Sequence, residues 1–166
     1  MDDAVHGTLY TTVHRAPPPC VRNDPRPASS GLAMDLVFDI EVPASSNGTV
    51  SVVSSFMATS SQNGVVFTID IAAAAMAGGR GGSGGARTGT LDGNIHFPIL
   101  ATETAVRVRV LVDRSIVEIF VQGGRVAKTV RAYPKPGSNQ VWLEATSPAG
   151  ATVSNVTAFS MGCGWE

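Results

Sequence analysis

Aromatic residues make up only 6% of this 166-residue chain, cysteine occurs twice, and no run of basic residues exceeds a dipeptide. Each shortage excludes something. So few aromatics are a thin supply for a dedicated sugar-stacking platform, so Phe120, Tyr133, Trp142 and Trp165 read as core and interface packing. The 12 Lys and Arg face 13 Asp and Glu, a net charge of −1, with no positive stripe to displace the counterions of a nucleic acid. No stretch reaches the roughly 18 apolar residues of a membrane span. The start, MDDAVHGTLY, is acidic and polar, unlike a signal peptide. Cys20 and Cys163 match no zinc or redox spacing. They are either two unpaired thiols or, in an oxidising compartment, a bridge between the two ends of the chain. Neither a metal nor an organic cofactor is expected.

Residues 1–30 are expected to be irregular: 14–31, HRAPPPCVRNDPRPASSG, is dense in proline and reads as an extended linker. From Gly31 the pattern changes to short runs of period two. MDLVFDIEV (34–42) sets Leu36, Phe38, Ile40 and Val42 on one face, and GVVFTIDI (64–71) aligns Val65, Phe67, Ile69 and Ile71. TVSVVSSFM, NIHFPIL, AVRVRVLVD, IVEIFVQ, RVAKTVRAY, NQVWLEA and ATVSNVTAFSM continue the series. About nine short strands with Gly and Pro turns, and no convincing amphipathic helix, predict an all-β chain: an antiparallel β-sandwich, jelly-roll or lectin-like, over 31–166. The low-complexity stretch AGGRGGSGGARTG (77–89) contains Gly79-x-Gly81-x-x-Gly84, but no helix follows to present its N-terminus to a phosphate, so a flexible surface loop is expected.

VRVLVDRSIVEIFVQGG (108–124) carries the most information. A two-residue turn at Arg114-Ser115 sets Val112 opposite Val117, Val110 opposite Ile119 and Val108 opposite Val121, an entirely β-branched apolar face. The other face pairs Leu111 with Glu118, Arg109 with Phe120 and Arg107 with Gln122, and a one-residue slip would destroy the match. Arg-Ser is not a favoured pair for a type I′ turn, so the Asp113 carboxylate is expected to help by bonding turn amides. Glu118 lies beside Arg107 and Arg109, where an ion pair suits it better than a general acid of raised pKa.

Asp35, Asp39 and Glu41 share one face of a strand, where residues two apart, as Asp39 and Glu41 are, lie roughly 6.5 to 7 Å from each other. That spacing is compatible with a glycosidase pair or a calcium site, but the solvated face of a half-buried strand is the expected reading. His6, His14 and His96 show no triad or metal spacing, and His96 is expected to be a packed or edge residue. Asn47-Gly48-Thr49 and Asn155-Val156-Thr157 are glycosylation sequons fitting a secreted or vacuolar protein.

At the hairpin the sequence resembles the C-terminal sandwich domain of glycoside hydrolase family 32, the β-fructofuranosidases: invertases, fructan hydrolases and plant fructosyltransferases. Asp113, Arg114, Ser115, Val117, Glu118, Phe120, Gly123, Gly124, Tyr133 and Pro134 follow the family string in order. MDLVFDIEV resembles the opening strand, and NIHFPIL the strand before the signature. The resemblance implies a separate N-terminal five-bladed propeller that hydrolyses or transfers fructosyl groups of sucrose or fructans. It implies no catalytic residue in this chain. Asn23-Asp24-Pro25 lacks the Asn-Gly that completes the nucleophile motif, and neither Arg-Asp-Pro nor Glu-Cys occurs. By the same analogy the sandwich is expected to pack against and stabilise the propeller and to help bind fructan, with Arg107, Arg109 and Glu118 on the interdomain face, and the parent is expected to be extracellular or vacuolar, with its signal upstream. The competing expectation is a free-standing lectin-like carbohydrate-binding module; a minimal hydrolase using Asp35, Asp39 or Glu41 is the third.

Overall fold

The computed structural model describes residues 33–42, 49–58, 64–72, 87–133, 140–146 and 153–161. The expected N-terminal linker, Cys20, Asn47, Pro134, Cys163 and Trp165 lie outside them. Among the described residues there are ten strands and no α-helix: β1 Ala33–Glu41, β2 Thr49–Ala58, β3 Val65–Ala72, β4 Arg87–Leu91, β5 Ile95–Ile99, β6 Ala105–Asp113, β7 Ile116–Val121, β8 Val126–Arg131, β9 Gln140–Thr146 and β10 Val153–Ser160. A short 3-10 turn over Gln122–Gly124 joins β7 to β8. The strands form two five-stranded sheets, ordered β10-β1-β6-β7-β8 (the first sheet) and β5-β4-β3-β2-β9 (the second), with every described pairing antiparallel. This is the β-sandwich that the period-two runs predict.

Alternation explains the layers. Leu36, Phe38 and Ile40 of β1, Val106, Val108, Val110 and Val112 of β6, and Val117, Ile119 and Val121 of β7 are almost wholly buried. From the second sheet, Val50, Val52 and Phe56, then Phe67, Ile69 and Ile71, meet them in one core. The Phe56 and Phe67 rings stack with centroids 5.5 Å apart. Burying one such ring is worth roughly 1.5–3 kcal/mol, so the inner faces dominate the fold's stability. The hairpin register is the one obtained by counting: Val112 faces Val117, Val110 faces Ile119 and Val108 faces Val121.

β4 corrects the reading of 77–89 as a surface loop. Residues 77–86 lie outside the described residues, but Arg87–Leu91 pairs with both β3 and β5, and Gly89 is buried opposite Phe97. The missed signal is Asp92-Gly93. Both residues have positive φ, 52° and 68°, the geometry of the tight hairpin that joins β4 to β5. Asp92 also exchanges hydrogen bonds with β3: its amide donates to the Thr68 carbonyl (2.7 Å), and its Oδ1 accepts from the Thr68 amide (2.8 Å). Its Oδ2 pairs with Lys128 of β8, crossing from one sheet to the other.

Candidate functional site on the outer face of the first sheet

The pairings lay the outward side chains of the first sheet out in rows. Phe159, Asp35, Leu111, Glu118 and Thr129 form one; Thr157, Val37, Arg109, Phe120 and Ala127 form the next; Asp39 and Arg107 stand beyond. Arg109 donates to Asp35 through Nε (2.9 Å) and Nη2 (2.7 Å). Arg107 grips Asp39 in the same two-pronged way at 2.9 and 3.0 Å. Two findings here correct the sequence reading. The arginines choose the β1 carboxylates, and Glu118 makes no ion pair among the described residues. Asp39, expected on a solvated face, is only 5% exposed.

Asp39 is held from a third direction. The Asn155 amide donates Nδ2–H to its Oδ2 at 2.9 Å. Asn155 stands where the β1–β10 register shifts, between the pairings of Val37 and Asp39, and has φ of 52°. This bulge turns the amide toward the carboxylate. The Arg107 fork, against the cost of burial and with help from Asn155, pulls the Asp39 carboxyl below its ordinary range. A carboxylate so chelated stays ionised, which does not suit Asp39 to the part of a general acid.

A recess of about 370 Å³ opens beside this pair, between the start of β6, the β5–β6 loop and the turn after β7. Gln122 lines it. It has φ of 50°, its Oε1 accepts from the Arg107 amide (2.9 Å), and its Nε2 donates to the Ala105 carbonyl (3.1 Å), extending the ladder by a side chain. Gly123 and Gly124 follow with φ of 67° and 95°, which accounts for the paired glycines of the signature. The chain then reverses so that Arg125 reaches back across the sandwich. Its guanidinium grips Glu103 at 2.8 and 2.9 Å and donates to the Pro98 carbonyl at 2.8 Å. The Glu103 Oε2 also accepts from the Leu100 amide at 2.8 Å. The Arg125 hydrogen bonds, opposed by partial burial, pull the Glu103 carboxyl down to about 2.

The other candidates are placed as follows. Arg114 and Ser115 form the expected two-residue turn; Arg114 alone of the pair has positive φ (52°), so the turn is not type I′. The Asp113 carboxylate makes no hydrogen bond among the described residues, contrary to its expected role, and is exposed. Val117 is core and Phe120 half-buried on the outer face. Tyr133 is 75% exposed beneath the Arg131 guanidinium, 5.2 Å from its ring centre. His96 is exposed on the edge strand β5, and Trp142 stands in β9 opposite Ser55. The Asn155-Val156-Thr157 sequon lies on the edge strand β10, with Asn155 and Thr157 exposed.

Two antiparallel sheets packed around one apolar core, with a charged outer face on the first, define an antiparallel β-sandwich domain. It matches the family described as Glycosyl hydrolases family 32 C terminal over residues 7–160, and the chain belongs to that family. Acid beta-fructofuranosidase 2, vacuolar, of a Rosa hybrid cultivar is 51% identical over 39 residues, which is 24% of this chain and 6% of that protein. The exo-inulinase of Aspergillus awamori is 16% identical, covering 77% of this chain and 24% of its own, with a TM-score of 0.47. Sucrose-6-phosphate hydrolase of Lactobacillus gasseri is 14% identical, covering 80% and 25%, with a TM-score of 0.41. The chain thus spans about a quarter of the length of these two enzymes.

Proposed function

We propose that this chain is the non-catalytic sandwich of a β-fructofuranosidase-type enzyme, which stabilises an N-terminal five-bladed propeller that hydrolyses or transfers fructosyl groups of sucrose or fructans. The observation that carries the reading is the outer face of the first sheet. Its two arginines are fixed by Asp35 and Asp39, Glu118 is left without a counter-ion among the described residues, and half-buried Val37, Leu111 and Phe120 continue to Phe159, which is 58% exposed. Half-apolar ground with preset charges is what a partner domain packs against. Arg107, Arg109 and Glu118 are its polar contacts. The vacuole named for the rose relative is the compartment proposed for the parent enzyme.

Mixing the chain with a separately expressed family 32 catalytic domain that lacks its sandwich tests this. Association in sedimentation and a raised melting temperature of the catalytic domain are expected, both weakened by Phe159→Asp or Glu118→Lys. The chain alone is expected to release no fructose from sucrose. Failure to associate, or fructose release by the chain, would sink the reading. The polar recess favours a second reading, in which the sandwich also touches carbohydrate.

A further inference from the structure

We propose that Asp92-Gly93, in the turn between β4 and β5, is a guarded site of isoaspartate formation, with Lys128 and Thr68 as its guards. The site stands apart from the outer face of the first sheet and does not depend on the fructosyl-enzyme reading.

In an Asp-Gly pair the backbone nitrogen after the acid reaches the side-chain carboxyl readily, since glycine has no β-carbon in the way. The Gly93 nitrogen attacks Cγ of the protonated Asp92 carboxyl. The carboxyl hydroxyl leaves as water with the amide hydrogen, and a five-membered imide closes. Water then opens the imide at one of its two carbonyls. Opening at the main-chain carbonyl leaves the chain running through the β-carbon, an isoaspartyl residue of unchanged mass.

The turn offers the nucleophile freely. Gly93 is exposed, a β-carbon there would meet nothing within 4 Å, and its amide makes no hydrogen bond among the described residues. What the fold withholds is the electrophile. Asp92 Oδ1 accepts from the Thr68 amide (2.8 Å) and Oδ2 pairs with Lys128, so both carboxyl oxygens are tied. The Asp92 amide donates to the Thr68 carbonyl (2.7 Å), which fixes the main chain of the same residue. Cγ can swing over the Gly93 nitrogen only after the carboxyl leaves both partners. Lys128 is well placed to prevent this. It shares the inward face of β8 with Val126 and Val130, which pack in or against the core, so its ammonium is half-buried at the rim between the sheets. The product does not fit this turn. An isoaspartyl residue lengthens the main chain by one methylene where β4 is set against β3 and β5. Its carboxylate sits directly on the α-carbon, one carbon short of its former reach to Thr68 and Lys128. Isomerisation therefore undoes the tie between the sheets.

Prolonged incubation of the full 166-residue chain at neutral pH, with isoaspartate at position 92 counted by peptide mapping, tests the proposal. The folded chain is expected to isomerise more than roughly tenfold slower than the chain in guanidinium chloride, the combined worth of one hydrogen bond and one partly exposed ion pair. Lys128→Met removes the ion pair and is expected to raise the folded rate roughly fivefold. Lys128→Arg keeps the charge and is expected to keep the slow rate. Glu103→Gln weakens the sandwich without touching Asp92, so its rate is expected to match the wild type and to separate local release from global unfolding. A folded chain that isomerises as fast as the denatured one would overturn the proposal. So would a Lys128→Met variant no faster than wild type, or a Glu103→Gln rate equal to that of Lys128→Met.

Discussion

Phe97 lies across the α-carbon of Gly89 so closely that a β-carbon there would stand 2.2 Å from the ring. The two residues face each other on neighbouring strands, and the ring fills the space the missing side chain leaves in the core. Gly89→Ala is therefore expected to lower stability by about 1–3 kcal/mol through overpacking. Adding Phe97→Leu to that variant should recover part of the loss. Chemical denaturation measures both, and an unchanged midpoint for Gly89→Ala would contradict the packing described.

The Arg125–Glu103 clasp gives the domain a defined acid limit. Glu103 falls from an ordinary value of 4.5 to about 2, and Asp39 shifts in the same direction because the Arg107 fork favours its charged form. A carboxylate that ionises more readily folded than unfolded contributes stability above its unfolded pKa. That contribution is lost as pH falls through the folded one. Melting temperature is thus expected to hold steady down to about pH 4.5 and then fall toward pH 2. Glu103→Gln should melt lower near neutrality and show a flatter decline across that window. Parallel curves for the two proteins would rule out Glu103 as the titrating group.

Asn155 combines a backbone role with a side-chain role, and two substitutions separate them. Asn155→Gly loses the bond to Asp39 but keeps the left-handed backbone, at an expected cost of about 1–2 kcal/mol. Asn155→Ala loses the bond and also forces an alanine to φ near 52°, which adds about 1 kcal/mol. Equal losses in the two variants would show that the bulge relaxes without strain.

Ser54 sits wholly buried on β2 between the core positions Val52 and Phe56, and its hydroxyl finds no partner among the described residues. Removing an unpaired buried hydroxyl is favourable. Ser54→Ala is expected to raise stability by about 1 kcal/mol, read from the denaturation midpoint. A destabilised variant would reveal a partner for that oxygen.

Much of this could be read along the chain because the information was local. Period two marked nine of the ten strands, and the valine ladder of β6 and β7 admitted one register around a two-residue turn. β4 escaped because five residues with a central glycine offer no alternation to count, although Asp92-Gly93 between Leu91 and Ile95 announced the hairpin.

What the sequence alone determined is which face of each strand turns inward, since a side chain's face depends only on the parity of its position. It did not determine which strand lies alongside. Only the tertiary structure set β1 between β10 and β6, and so gave Arg107 to Asp39 and Arg109 to Asp35 across 68 and 74 residues. Glu118 is nearer to both arginines in the chain, yet its Cα partners are Leu111 and Thr129. A charge pair forms where two strands bring their outward rows together. That pairing is chosen by the packing of the inner faces, whose burial outweighs any exposed ion pair.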